Sequence, residues 1–392
     1  MQHTLNYGLL RAVALLAGVL TACLPAASAT SYVITNDDPG ISFYTVGPGG
    51  ALTLQQQVQI GGFGNVAGFF GAHRIVTLDS GGQQCVYASV SSTGNIAGIA
   101  ISTMTVGGSA TGSPTDRGTT NGIGLAIGGQ YLYASFTDSN TIGTFSIQSG
   151  CGLTFINDIM VSGLAGGVIN GMAIHSSTGS MGSMLIATYT DGSIQSFNIS
   201  AGSPVSNGDE QYSTATLNSM DATYPNSIDI TSDGHYAIFG DTSTSEVVEV
   251  SDISSGKLTP TVVYGGKGSI SSSNVMLSPD ETVLYVINTQ GASVTAFFFN
   301  AATGALSGGC QSARVSGQST DWSYLASLGL ASETGNGGGV YVAEFGAPSA
   351  IALMSLTVNG QTCSMHEVRG SPFADPNSQG LLSIATFPPR SF

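Results

Sequence analysis

Apolar residues in this chain fall in short alternating runs, each closed by a turn rich in Gly, Asp or Asn. The clearest run is Leu284-Tyr285-Val286-Ile287-Asn288, followed by Ser293-Val294-Thr295-Ala296-Phe297 and the turn Thr303-Gly304-Ala305-Leu306. Alternation of this kind predicts half-buried β-strands, and no long segment carries the helical period. The same phrase recurs seven times, anchored at Tyr32, Tyr87, Tyr133, Ile186, Ile238, Tyr285 and Tyr341, with spacings of 55, 46, 53, 52, 47 and 56 residues. A repeat of roughly 40 to 50 residues in an all-strand chain predicts propeller blades.

Each blade is expected to hold four antiparallel strands, with the anchor phrase as the second from the central channel. Runs such as Ser227 to Gly234 and Asn274 to Glu281 supply the inner strand and its turn into the anchor phrase. Two half-blades remain. Residues 380–387 form an inner strand with nothing behind it, and residues 31–35 form an anchor strand with nothing before it. Pairing them closes the ring and hides both edges. The expected fold is therefore all-β: a seven-bladed propeller of four-stranded antiparallel blades, closed by its N- and C-terminal strands, with the core distributed between blades.

Composition supports this picture. The 55 Gly among 392 residues, with only 8% charged residues, suit tight turns better than solvated helix faces. Residues 1–29 are of another kind. Arg11 precedes the apolar run Ala12 to Leu20, Pro25 breaks it, and Ala27-Ser28-Ala29 offers the small residues of a cleavage site. An export signal is expected, too short to span a bilayer. Leu20-Thr21-Ala22-Cys23 also resembles a lipobox, so acylation of Cys23 competes with simple cleavage after Ala29. The expected location is extracytoplasmic, secreted or periplasmic.

Without Arg11, seven basic residues face 23 acidic ones, a net charge of −16. That sign opposes binding to nucleic acid or to an anionic membrane surface. Cys85, Cys151, Cys310 and Cys363 remain after export, an even number that permits two disulfides without fixing their connectivity. Three of them fall near outer turns of different blades, a placement that argues for caution. The alternative is packed or free thiols.

The phrase Tyr285-Val286-Ile287-Asn288, the turn Ser278-Pro279-Asp280 before it and the segment Gly370-Ser371-Pro372-Phe373 resemble the Tyr-Val-Thr-Asn repeat propellers grouped with the lactonase family. That group includes 6-phosphogluconolactonase-like and carboxymuconate-cyclase-like proteins. The resemblance covers residues 31–387. It implies the propeller fold and offers lactone hydrolysis as an activity, although one fold hosts many functions.

Strand direction puts the turns between second and third strands on the same face as the connections between blades. The turns carry Asp37, Asp38, Asp138, Asp191, Asp241 and Glu344, with Asn36, Asn140 and Asn288. Such a ring of oxygens suits a hard cation such as Ca²⁺, but Asp and Asn are also ordinary turn residues and no Ca²⁺-loop spacing is present, so no cofactor is assigned. The connections add Phe69, Phe70, Tyr224, Trp322 and Tyr324, aromatic surfaces suited to a polar ligand or glycan, or to packing in the channel. Ligand-binding candidates are thus Trp322, Tyr324, Tyr224, Asp37, Asp138, Asp191 and Asn288.

Hydrolysis of a lactone needs a group that polarises the carbonyl and one that activates water. Arg74, Arg117 and Lys267 are the cations expected on this face, and Asp241 and Glu344 the bases; for a lactonase the catalytic set is Arg74, Arg117, Asp241 and Glu344. His73 neighbours Arg74 and would face the other way along a strand. His175 holds a turn position, His235 belongs to the opposite face and His366 to an outer strand, so none is placed in the site. No Cys/His metal spacing, nucleophile elbow or phosphate-binding Gly loop occurs. The leading functional expectation is an exported monomer that binds a small polar ligand, glycan or envelope protein without catalysis. Lactone hydrolysis is the alternative, and a structural surface scaffold the third reading.

Overall fold

The computed structural model describes residues 30–392 outside 37–39, 63–73, 112–121, 177–182, 213–224, 242–246, 266–271, 289–291, 317–323, 331–337, 346–348, 376–379 and 390–392, and outside Gly81, Ser91, Gly129 and Leu382. Seven antiparallel sheets lie within the compact unit Tyr32–Phe392. The inner strands are Ser383–Phe387 in blade 1, then Ile75–Ser80, Gly122–Gly128, Ile169–His175, Pro225–Ile230, Ser272–Leu277 and Tyr324–Leu330 in blades 2 to 7. Each packs beside the inner strands of both neighbouring blades, so the seven make a closed circuit.

The anchor phrase is the second strand in every blade, as expected: Tyr32–Asn36, Gln83–Val90, Tyr131–Phe136, Met184–Tyr189, Tyr236–Asp241, Val283–Asn288 and Gly339–Phe345. The ring closes as expected too. Tyr32 pairs with Phe387, Ile34 with Ala385 and Asn36 with Ser383 in an antiparallel register. Two blades depart from the four-strand plan. In blade 4 the outer strand is broken into Val205–Ser206 and Gln211–Tyr212, both paired with Ser193–Asn198. In blade 7 the short strand Phe373–Ala374 pairs with Ala350–Asn359 in addition to the regular outer strand Thr362–Glu367.

Strand alternation explains where the core lies. Side chains of one strand point to opposite sheet faces, and each face meets a neighbouring blade. Val33 accordingly packs with Tyr341 and Leu353 of blade 7, whereas Ile34 packs with Val86 and Ile99 of blade 2. Seven such clusters occur among the described residues, one at each seam between blades. All seven anchor residues share one phase and face the blade that follows.

Seams also carry polar fastenings. Tyr133 donates its hydroxyl to the Gly202 carbonyl at 2.8 Å, and Tyr341 does the same to Gly50 across the closing seam. Gly50 and Gly202 have φ of 81° and 88°, and a side chain there would strain the backbone, collide with Leu353 at Gly50 and crowd the Tyr131 ring at Gly202. Nearer the channel, inner strands are joined by side chains instead of ladder bonds. The Ser227 hydroxyl and the Asp229 carboxylate of blade 5 accept the Val275 and Leu277 N–H groups of blade 6 at 2.9 and 2.7 Å. Thr77 of blade 2 donates to the Thr386 carbonyl of blade 1 at 2.9 Å.

The four cysteines form two disulfides, Cys85–Cys151 and Cys310–Cys363, each with Cα atoms 5.6 Å apart. The caution from sequence is thereby corrected. Positions in adjacent blades do come within reach, because Cys310 and Cys363 lie on neighbouring outer strands and Cys85 on a second strand facing the next blade's short 3-10 turn Ser149–Cys151. Loops of 66 and 53 residues give a chain-entropy contribution of about 4 kcal/mol each.

Closure by the terminal strands has a direct test. A chain ending at residue 379 leaves blade 1 without its inner strand and exposes an edge on each side of the gap. Circular dichroism is expected to show loss of the cooperative melting transition, and a truncated protein melting like the full chain would refute the role of this pairing.

Candidate functional site

Turns between second and third strands share a face with the inter-blade connections, and of the residues singled out above the structure describes Asn36, Arg74, Asp138, Asn140, Asp191, Asn288 and Glu344 at or next to them. Arg74 immediately precedes the inner strand of blade 2, and the Ser89 N–H donates to the Arg74 carbonyl at 3.0 Å, extending the ladder by one pair. Asn36 donates its amide to the Ser89 carbonyl at 3.0 Å and to the Arg74 carbonyl at 3.4 Å, tying blade 1 to blade 2 at the channel end. The Arg74 side chain is 1% exposed, and burial lowers its pKa to about 10. The guanidinium is therefore still charged at neutral pH.

Glu344, 3% exposed, sits near the end of the second strand of blade 7, opposite Leu325 and Ala350. Alternation puts it on the side of Val340 and Val342, which face blade 6. Arg74 shares its side with Val76, which packs in the seam between blades 2 and 3. The two charges thus belong to different seams. Asp241 ends the second strand of blade 5, in register with Pro225 and Val247, and Tyr324 begins the inner strand of blade 7 opposite Phe345; the side chains of both lie outside the described residues. Arg117, Trp322, Tyr224 and Asp37 lie wholly outside them, as do Asp38, Phe69, Phe70, His73 and Lys267.

The described Asp and Asn residues are mostly braces. Asp191 accepts from the N–H groups of Ala165 and Gly167 at 2.7 and 3.1 Å and from the Ser193 hydroxyl at 2.6 Å. A Cβ on Gly167 would come within 2.5 Å of that carboxylate, so the connection into blade 4 needs glycine there. Burial pushes the Asp191 pKa up, but the donated hydrogen bonds outweigh it and hold the carboxyl below its usual value. Asn140, at a positive φ of 49°, accepts the Ile169 N–H at 3.1 Å. Asn288 is buried between Ser272 and Ser293, and Asp138 is exposed in its turn. No group of three or more His, Cys, Asp or Glu side chains suited to a metal occurs among the described residues.

His175 ends the inner strand of blade 4, buried against Gly234 of blade 5, and burial lowers its pKa despite nearby Asp233. A carboxylate that sequence reasoning passed over is Asp375, fully buried in the connection from blade 7 to blade 1. Tyr44 donates its hydroxyl to it, and the Asp375 N–H donates to the Ser349 carbonyl at 3.0 Å. Its place, just past the Gly370-Ser371-Pro372-Phe373 segment, was the available signal.

Seven antiparallel sheets whose inner strands form a closed circuit define a seven-bladed β-propeller. The family model for lactonases with a seven-bladed β-propeller matches residues 164–370, somewhat over half the chain. The chain belongs to this lactonase family. No curated protein matches it in sequence. Among solved structures, a candidate 6-phosphogluconolactonase from Bacteroides fragilis is similar with a TM-score of 0.66 and 14% identity over 92% of this chain and 99% of that one. A functionally unknown protein from Desulfotomaculum acetoxidans follows at 0.65 and 15%, over 91% and 99%. A periplasmic gluconolactonase from Pseudomonas aeruginosa has a TM-score of 0.55 and 14% identity over 72% and 82%. At these identities the structural likeness speaks for the fold.

Replacing Asp191 by Ala removes one acceptor from several donors and is expected to cost about 2 kcal/mol at pH 7 by urea denaturation. The folded-state pKa is depressed, so this stabilisation is present above the ordinary carboxyl value near 4 and is lost as pH falls through the lower folded value. The gap between wild type and variant should therefore close in acid; a gap that widens would refute the assignment.

Proposed function

We propose that the protein is an exported lactonase that hydrolyses a sugar lactone on the face bearing Arg74. Family membership supports a lactonase over a non-catalytic binder, and the observation that carries the proposal is the buried, charged Arg74 at the channel end of an inner strand. A guanidinium held in a low-dielectric site favours the oxyanion that forms when water adds to a carbonyl. Arg74, with Arg117 as its alternative, polarises the lactone carbonyl. Asp241 or Glu344 takes the proton of the attacking water, the ring C–O bond breaks, and the ring oxygen is protonated as the hydroxy acid leaves. Asp241 on blade 5 and Glu344 on blade 7 stand as alternative bases.

Purified mature protein assayed on a panel of aldonolactones tests this. Arg74→Gln is expected to lower kcat/KM at least 100-fold while the melting transition persists, and Arg74→Lys to recover part of it. Undiminished hydrolysis by a folded Arg74→Gln protein would overturn the role.

A second reading is binding without catalysis. It is favoured by the engagement of Asp191 and Asp375 in structural hydrogen bonds and by the separate seams of Arg74 and Glu344. Trp322, Tyr324, Tyr224, Asp37 and Asp138 would then face a neutral or cationic polar ligand or glycan. No turnover across the panel, together with a ligand-dependent change in the fluorescence of Trp322, the sole Trp, would select it.

Export rests on the features of residues 1–29 and is supported by two disulfides, which persist in oxidising compartments. No helix among the described residues is long and apolar enough to cross a membrane. Intact-mass analysis of the mature protein is expected to place its first residue at Thr30. A lipid-modified Cys23 at the start would replace this assignment, and an uncleaved chain would refute export.

A further inference from the structure

One seam has no second-strand tyrosine facing the following blade. At the seam between blades 4 and 5 the anchor is Ile186, not tyrosine, and Met184 is its neighbour on the same side. The facing turn between the third and outer strands of blade 5 is Ser254-Ser255-Gly256-Lys257. Its glycine has a positive φ of 77°, like Gly50, Gly202 and Gly304 in the matching turns of blades 1, 4 and 6. Those three abut tyrosines: the Tyr341 hydroxyl at 3.1 Å, the Tyr131 ring at 3.0 Å and the Tyr236 ring at 2.8 Å from an added Cβ. Around Gly256 no described atom lies within 4 Å. No phenol fills the space beside this turn, and the broken outer strand of blade 4 turns at Asn207, which borders the same space.

The result is a cleft of about 440 Å³ on the face opposite Arg74, lined by Ser183, Asn198, Asn207, Ser254 and Lys257 over a floor that includes Met184. Its volume falls within the range of small-ligand sites, about 300–1,000 Å³. The lining is built of amides, hydroxyls and one ammonium, and much of it is held in place. Asn198 Oδ1 accepts the Ser200 N–H at 2.9 Å and Asn207 Nδ2 donates to the Ser196 hydroxyl at 2.7 Å. Asn198 keeps its amide donors and Asn207 its carbonyl oxygen for a ligand.

We infer that this cleft binds a neutral, hydroxyl-rich ligand, a mono- or disaccharide, independently of the Arg74 face. Donors and acceptors are mixed along the lining, which suits hydroxyl groups that both give and receive hydrogen bonds. Charge argues against an anion. Asp209, which accepts the Leu258 N–H at 3.0 Å, and Asp252, which accepts the Ser254 N–H at 2.8 Å, flank the cleft and offset Lys257.

Saturation-transfer NMR on the full mature protein, with methyl glucoside, maltose and glucuronate as probes, tests the inference. Saturable binding of at least one neutral sugar is expected, weakened at least threefold by Asn198→Ala and by Lys257→Met. Both substitutions are at exposed positions, so folding is retained. Ile186→Tyr, which restores the phenol, should abolish binding, and if it does not fold the two surface variants decide. No saturable binding of either neutral sugar, tighter binding of glucuronate than of both, or unchanged affinity in both surface variants would each overturn the site. Lactone turnover is expected to be the same in Lys257→Met as in wild type, which separates this inference from the fate of the proposed activity.

Discussion

Everything in this ring depends on the contact of one blade's second strand with the next blade. A four-stranded sheet buries nothing alone, because both faces are apolar and need a neighbour. Each seam supplies that neighbour, and the anchor residues, all in one phase, fill it. Five of the seven are tyrosines, which add a hydroxyl to a large apolar ring. In Tyr133 and Tyr341 that hydroxyl finds a backbone carbonyl on the following blade, so a buried polar atom is satisfied at the same time as the seam is set.

The end that carries Arg74 is built from strand termini whose polar groups are matched across blades, as in the triangle of Asn36, Arg74 and Ser89. Asp191 and Asn140 use the same chemistry to hold the connection into blade 4, which fixes one wall of the face without offering a free carboxylate.

The repeat made most of the fold legible in the sequence. Tyr285-Val286-Ile287-Asn288 located the second strand in each blade, and the unmatched strands at residues 31–35 and 380–387 announced the closure. What escaped was whatever depends on contacts between repeats. The pairing of Cys85 with Cys151 joins a strand to a turn in the next blade, and no spacing along one chain reveals that two such places touch. Asp191 looked like a ligand because Asp in a turn has the same sequence signature whether it meets solvent or the N–H groups of Ala165 and Gly167. Asp375 was overlooked for the converse reason, since its burial comes from Tyr44, 331 residues away in sequence. Family resemblance pointed to lactone chemistry, but the geometry that would test Arg74 against Glu344 exists only in three dimensions.

The register of the closing pair also has a mechanical meaning. Tyr32 lies opposite Phe387, so the two chain ends leave blade 1 from the same end of the paired strands. A load drawing the ends apart acts on the first pair alone and opens the bonds one after another, as a zipper does, instead of shearing all of them together. The ring is therefore compliant to tension at its termini, and the covalent staples between blades 2 and 3 and between blades 6 and 7 mark how far such an opening could travel in either direction before it met a bond that does not yield.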